Sequence, residues 1–551
     1  VIRRLCNILD AREKRRQGLK TYPYEVDQEK CVAGSPPACQ ATCPLHIDIK
    51  GYVGLIKEGR FDDALALIKE VLPFPGIIGR VCTRPCEKKC VRGNIEEAIA
   101  INALKRAAVD YGNIAEDYSI APEKDKKVAI VGGGPAGIMA AYLLRKEGYK
   151  VTVYEAFSKL GGMMAVGIPE FRLPRDILEK EIDIINKLGV EVKLNTRVGQ
   201  DVELSALHKE YDAVFMAVGA HRSRGLGVAN ENAEGVIDGT DFLQKVNMGE
   251  KVPDGDKVLI VGGGNVAIDC ARTCVRLGFK DVNIVYRRSR AEMPAIEEEI
   301  AEAEKEGVKI HLLSGPGRVV VDGGRVTGME FIKNKLGEPD ESGRRRPEPI
   351  PGSEFVMDTG LIISSIGEEP DLQLLTGDFS KAVSGGLIAA DPVTLQTNIE
   401  GIFAGGDAVS GPDTVIGALA AGKKAAVSID RYLKGEPLDT GREGEEVYES
   451  KLTVDTFGVG MAGRLDMPAL PVEQRRGNFK EVDLGLSKED AVSEAERCLS
   501  CDCRLCINLL GCPAIITDNG NVVIDSTQCP GCGVCAQVCP HDAIISGEKN
   551  D

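Results

Sequence analysis

Cysteines and glycine-rich turns carry the chemistry this sequence offers. Of its 18 cysteines, six lie near the start (Cys31, Cys39, Cys43, Cys82, Cys86 and Cys90) and nine lie between Cys498 and Cys539. Only Cys6, Cys270 and Cys274 fall elsewhere. In a chain of this size such clusters read as metal ligands, because disulfide frameworks belong to small secreted domains. The run Cys529-x2-Cys532-x2-Cys535-x3-Cys539-Pro540 is close to the bacterial ferredoxin pattern, in which the fourth cysteine serves a second 4Fe–4S cluster. That rule groups Cys512 with Cys529, Cys532 and Cys535, and Cys539 with Cys503 and Cys506. Regular spacing would place the last ligand at Ser500, so Cys498 and Cys501 compete for it, and Cys501 is taken. The six early cysteines also suit iron–sulfur ligation. Zinc is the competing reading there, but its structural sites favour shorter Cys pairs and often histidine, and the only nearby histidine is His46.

Between the two ends lie two strand–turn–helix units. Lys126-Lys-Val-Ala-Ile-Val runs into Gly132-x-Gly134-Pro135-Ala136-Gly137, an apolar helical segment follows, and a second strand, Lys150–Tyr154, ends at Glu155. The glycines permit a tight turn, close approach of a pyrophosphate and packing of helix on strand, and the acid can bind a ribose hydroxyl. The second unit, Lys257–Val261 with Gly262-x-Gly264-Asn265-Val266-Ala267, has alanine in place of the third glycine. Its second strand ends in Arg287-Arg288 rather than an acid. Guanidinium groups pair with a 2′-phosphate, which a carboxylate would repel. The first unit therefore suits FAD and the second NADP(H), with NAD(H) the weaker fit.

The elements that must position these residues are those of a multidomain α/β protein. At 551 residues the chain has room for several domains. The reading is a helical iron–sulfur domain over 1–122, a discontinuous FAD domain over 123–240 and 365–435, and an inserted NAD(P) domain over 241–364. A linker over 436–490 and an α+β ferredoxin-like domain over 491–551 complete the chain. The buried strands Asp212–Gly219 and Gly360–Gly367 fit crossings between the two nucleotide domains. Cys270 and Cys274, one helical turn apart, read as small core residues. A net charge of −16 argues against nucleic acid or an anionic membrane surface as partner. No apolar run is long enough to span a bilayer, and the opening residues lack the form of a secretory signal, so a cytoplasmic protein is expected.

Residues 31 to about 435 resemble the small subunit of bacterial glutamate synthase and its relatives, which include the N-terminal half of dihydropyrimidine dehydrogenase and the large subunit of NADH-dependent ferredoxin:NADP oxidoreductase. The matching stretches are Cys39–Pro44, Gly79–Cys82, Gly161-Gly162-Met163 to Pro169, Val285–Arg290 with Glu292–Pro294, and Ala404-Gly405-Gly406-Asp407. The resemblance implies that Gly162, Met163, Gly406 and Asp407 meet the flavin cofactor, and that a helix starting at Thr414 runs beneath its ring. It also implies two N-terminal 4Fe–4S clusters. One would take Cys43, Cys82 and Cys86 with the side chain at position 105, and the other Cys31, Cys39 and Cys90 with a fourth cysteine at position 34. Here Gly34 cannot ligate and Lys105 is a poor iron ligand, so one or two N-terminal clusters are expected.

Together these readings describe an NAD(P)H-dependent flavin and iron–sulfur oxidoreductase that exchanges electrons with ferredoxin or with a catalytic partner subunit. Flavin-based electron bifurcation is compatible with the layout. One alternative is a glutamate synthase small subunit. Another is an assembly scaffold whose clusters are structural.

Overall fold

The computed structural model describes residues 23–547 except 443, 453, 455, 457, 504, 509, 519 and 520. Cys6 and the charged lead Arg12–Lys20 lie outside the described residues. Two parallel five-stranded sheets form the centre. The first has the spatial order Ile402–Ala404, Ala213–Met216, Lys127–Val131, Lys150–Tyr154 and Glu191–Lys193. The second runs Lys309–His311, Asp281–Val285, Lys257–Val261, Ile362–Ser364 and Val236–Asp238. Strands such as Lys127–Val131 and Lys257–Val261 are buried along nearly their whole length, as parallel strands covered on both faces must be. Val236–Asp238 joins the second sheet a few residues before the boundary expected at 241. An antiparallel layer of Ser314–Asp322, Arg325–Pro339, Arg345–Pro349 and Phe355–Asp358 is appended to that second half.

The N-terminal segment is helical, with Ile49–Lys57, Phe61–Lys69, Pro75–Val81 and Ile101–Tyr111 as its main elements. Its apolar core is continuous with that of the first sheet, since Phe74, Ile77 and Leu104 belong to the same buried cluster as Ile130 and Met139. The join is also polar. The Glu181 carboxylate accepts from the amides of Gly76 and Ile77 at 2.6 and 2.8 Å, so it caps the helix Pro75–Val81 from the neighbouring domain.

Residues 436–490 cross the surface, but they are anchored. Arg475 is buried and reaches Glu306 in the second nucleotide domain at 3.0 Å, and Val482 donates to the Phe171 carbonyl. The helix Lys488–Glu496 then packs on the N-terminal helices. The fully buried Glu494 carboxylate accepts from the amides of Ala100 and Leu465 there. The two ends of the described chain pair with each other: Tyr24–Val26 lies antiparallel to Ile544–Ser546. Tyr24–Val26 therefore forms part of the ferredoxin-like end.

Candidate functional site

The first glycine turn faces a cleft of about 390 Å³, and the helix that follows the second turn reaches the same cleft through Asn265 and Val266. Gly132 and Gly137 are demanded by the protein itself. A Cβ on Gly132, at φ +106°, would meet the Ala217 carbonyl at 2.3 Å, and one on Gly137 would lie 1.9 Å from the Gly132 carbonyl. Gly134 is different: a Cβ there meets nothing nearer than the Gly162 Cα at 3.8 Å, and that space opens into the cleft. The helix Pro135–Lys146 begins at Gly134 with no side-chain cap, so its first amides present donors to an anion. At the end of the neighbouring strand, buried Glu155 accepts from the Gly133 and Phe157 amides at 2.7 and 2.8 Å. Burial raises its pKa above the usual carboxylate range, and those amides hold it down.

The second flavin segment reaches the cleft through a close helix crossing. A Cβ on Gly422 would sit 2.2 Å from the Ala136 carbonyl, so the helix Val415–Lys434 lies directly on Pro135–Lys146. This brings Gly406, Asp407 and Thr414 to the cleft wall beside Gly162 and Met163. The Thr414 hydroxyl caps its own helix by accepting from the Gly417 amide. Asp407 has no cation beside it among the described residues, and burial raises it to about 6. The cradle, the open Gly134 and the uncapped helix start fit a dinucleotide.

At the second turn the protein again requires glycine. A Cβ on Gly262 would meet the Ser365 carbonyl at 2.2 Å, and one on Gly263 the Tyr286 ring at 2.5 Å. Gly264 faces free space, with Pro294 at 3.8 Å. Asn265 and Val266 line the shared cleft, and the Asn265 side-chain Oδ1 accepts from the Ile296 amide at 3.0 Å. The structure separates the two arginines. Arg287 is exposed, whereas Arg288 is buried, donating to the Arg345 carbonyl and pairing with Asp340. Arg288 thus holds the appended β-layer, and Arg287 is the guanidinium presented at the strand end.

None of the seventeen described cysteines is in a disulfide. Cys270 and Cys274 are buried in the second nucleotide core. The others gather in four groups. Cys43, Cys82 and Cys86 are buried together, and Lys105 on the helix Ile101–Tyr111 faces Cys86. Cys39 and Cys90 line one cavity with Cys498 and Cys501. Cys31 lines another with Cys503, Cys506 and Cys539. Cys512 lies with Cys529, Cys532 and Cys535. Among the described residues no three His, Cys, Asp or Glu side chains come close enough to hold a single ion, so each group lines a space rather than a point. Burial raises the Cys506 thiol to about 11 and Cys535 to about 12, with neighbouring thiols adding to both. Iron binding would therefore release protons. The grouping differs from that implied by the resemblance, because Cys31 stands with the tail rather than with Cys39 and Cys90. Cys498, set aside in favour of Cys501, lines the same cavity as Cys501.

The pattern of the pyridine nucleotide-disulphide oxidoreductase family matches residues 126–422, more than half of the chain. The chain belongs to that family. Around the matched core, residues 10–116 match dihydropyrimidine dehydrogenase domain II, 4Fe-4S cluster, and residues 522–545 match a 4Fe-4S binding domain. Among its relatives is the NADP(+)-dependent formate dehydrogenase subunit beta of Moorella thermoacetica, 44% identical over 84% of this chain and 70% of that one. The NADPH-Fe(3+) oxidoreductase subunit beta of Geobacter sulfurreducens is 42% identical over 84% and 75%. The glutamate synthase [NADPH] small chain of Escherichia coli is 36% identical over 74% and 91%. This pyridine nucleotide-disulphide oxidoreductase is thus an NAD(P)H-dependent oxidoreductase using FAD and 4Fe–4S clusters, with electron transfer as its business. No described helix is long and apolar enough to cross a membrane.

Two features of the oxidoreductase core were invisible in the sequence. Arg172, from the flavin half, makes two bonds of 2.9 and 2.8 Å to Asp269 on the helix Asn265–Leu277, at the back of the cleft. Behind it Arg272 and Arg276 bind the same buried Glu306 that Arg475 reaches, so one ionic network holds three segments. His221 also lines the cleft, its Nδ1 without a hydrogen-bond partner, and burial lowers it to about 4. No local motif announces either, because each depends on segments far apart in the chain.

Proposed function

We propose that the chain is the NADPH-oxidising, electron-distributing subunit of a larger complex, and that a partner subunit or ferredoxin takes the electrons. Bound FAD supplies the exchange between two-electron hydride chemistry and one-electron carriers. The residues proposed to hold it are the turn from Gly132 to Gly137 for the pyrophosphate and Glu155 for the ribose. Gly162, Met163, Gly406, Asp407 and the helix start at Thr414 are proposed for the flavin end. Gly262, Gly264, Asn265 and Val266 are proposed for NADP(H), with Arg287 pairing to its 2′-phosphate. The Arg172–Asp269 pair fixes the two halves against each other and keeps the nicotinamide side aligned with the flavin side.

The observation that carries this reading is that the first turn and the helix start after the second, at Asn265 and Val266, line one cleft while thiol groups occupy both ends of the same chain. The three similar relatives are each a subunit or small chain by name, which supports a separate acceptor-binding chain. The glutamate synthase reading leaves the C-terminal cysteine array without a role. Purified with its native partners, the protein should reduce ferredoxin or a viologen dye with NADPH. NADPH oxidation that requires glutamine and 2-oxoglutarate would instead favour the glutamate synthase reading.

A further inference from the structure

We propose that two of the 4Fe–4S clusters are each shared between the beginning and the end of the chain, one held by Cys39, Cys90, Cys498 and Cys501, the other by Cys31, Cys503, Cys506 and Cys539. Each set lines a single cavity, and each supplies four thiols, the full complement of such a cluster. The inference rests on the chain being an iron–sulfur protein. It goes beyond that by reassigning ligands that the resemblance keeps within the N-terminal domain.

The backbone explains why the sets cross the chain. Tyr24–Val26 pairs with Ile544–Ser546, and the Asp27 amide donates to the Ala543 carbonyl at 2.7 Å, which carries Cys31 to the loop that bears Cys539. The Gly34 amide donates to the Asp502 carboxylate at 3.2 Å. The position where the resemblance expects a cysteine is therefore covered by the tail, which places Cys501 and Cys503 on either side of that contact. Arg497, just before Cys498, is buried and donates to the Glu97 carbonyl and pairs with Glu96, close in sequence to Cys90. Where the resemblance expects a cysteine at position 34, the tail supplies Cys498 and Cys501 instead, and Cys31 joins the neighbouring set. Cys43, Cys82 and Cys86 remain as the one group drawn wholly from the N-terminal domain. The consequence is an unbroken arrangement in which the ferredoxin-like end shares cluster ligands with the domain beside the flavin.

The test is iron and acid-labile sulfide per bound flavin in the full-length protein, made and handled without oxygen, with alanine replacing cysteines singly and in pairs. The unaltered chain should carry about 12 iron atoms per flavin from its three four-thiol groups, rising to about 16 if the Cys43, Cys82 and Cys86 group also holds a cluster. Cys39→Ala with Cys498→Ala should lose about four, no more than either alone, because both touch one cluster. Cys31→Ala with Cys39→Ala should lose about eight. A loss of about four from that second pair, or about eight from the first, would overturn the proposal. Where an alanine pair also loses flavin, single serine variants replace it: Cys39→Ser and Cys498→Ser should perturb the same EPR signal, and Cys31→Ser a different one. Perturbation of one common signal by Cys31→Ser and Cys39→Ser would overturn it. Iron near zero in the unaltered chain would remove the iron–sulfur reading itself, a failure distinct from wrong grouping.

Discussion

The dinucleotide core and the cysteine-bearing ends assemble their sites in opposite ways. In the core, each recognition unit is contiguous: strand, turn, helix and second strand follow one another from Lys127 to Glu155, and again from Lys257 to Arg288. At the ends, cavities are completed by residues hundreds of positions apart, as where Cys39 and Cys90 meet Cys498 and Cys501. Contiguous units are specified by local backbone demands, which glycine spacing records. Composite sites are specified by which surfaces dock, and spacing does not record that.

The largest effect that would sharpen this contrast lies in the first turn. Gly137→Ala puts a Cβ against the Gly132 carbonyl at 1.9 Å, so flavin content should fall more than about tenfold and the protein should melt several degrees lower. Gly134→Ala meets open space inside the protein. It should keep its melting temperature within a degree or two yet bind FAD more weakly, as flavin absorbance per chain will report. Equal destabilisation by both would remove the distinction between a glycine required by the fold and one required by the ligand.

The second turn offers a smaller effect. A charge-assisted hydrogen bond contributes about 1.5–3 kcal/mol, so Arg287→Ala should lower kcat/KM for NADPH about 10- to 100-fold with NADH little changed. Arg288→Ala should loosen the appended β-layer and affect both nucleotides alike, since Arg288 is tied to Asp340 and the Arg345 carbonyl. Steady-state kinetics with both nucleotides will separate the two.

The smallest effect concerns Asp407, which burial raises from 3.8 to about 6. Between those values the unfolded chain loses this proton while the folded chain keeps it, so stability falls as pH rises through the window and the full penalty applies above it. Asp407→Asn should therefore stabilise the flavin-free protein at pH 7 by about 1–3 kcal/mol and leave it unchanged near pH 4. A thermal melt at each pH checks the sign.

Much of this was legible beforehand. The two nucleotide units and the ferredoxin-like run from Cys529 to Cys539 follow from periodicity and spacing, whereas a second flavin segment after the nicotinamide unit is implied only by the resemblance. What escaped were matters of docking. Cys498 and Cys501 looked like rivals for one position because regular spacing along the chain offers a single slot, whereas in three dimensions both line one cavity. Arg287 and Arg288 looked equivalent because adjacent residues share a motif, but successive side chains point opposite ways at a strand end, and one is buried against Asp340. The Arg172–Asp269 pair and the Glu306 network join three segments whose charged residues, read singly, look like solvated surface.

In the proposed function nucleotide electrons pass through the flavin to the thiol-ligated array. An anaerobic titration of the purified protein with NADPH, following flavin absorbance and cluster EPR together, tests it most directly. Bleaching of the flavin should be accompanied by cluster signals within the same equivalents of NADPH. A flavin that bleaches while every cluster stays oxidised, even with excess NADPH, would contradict it.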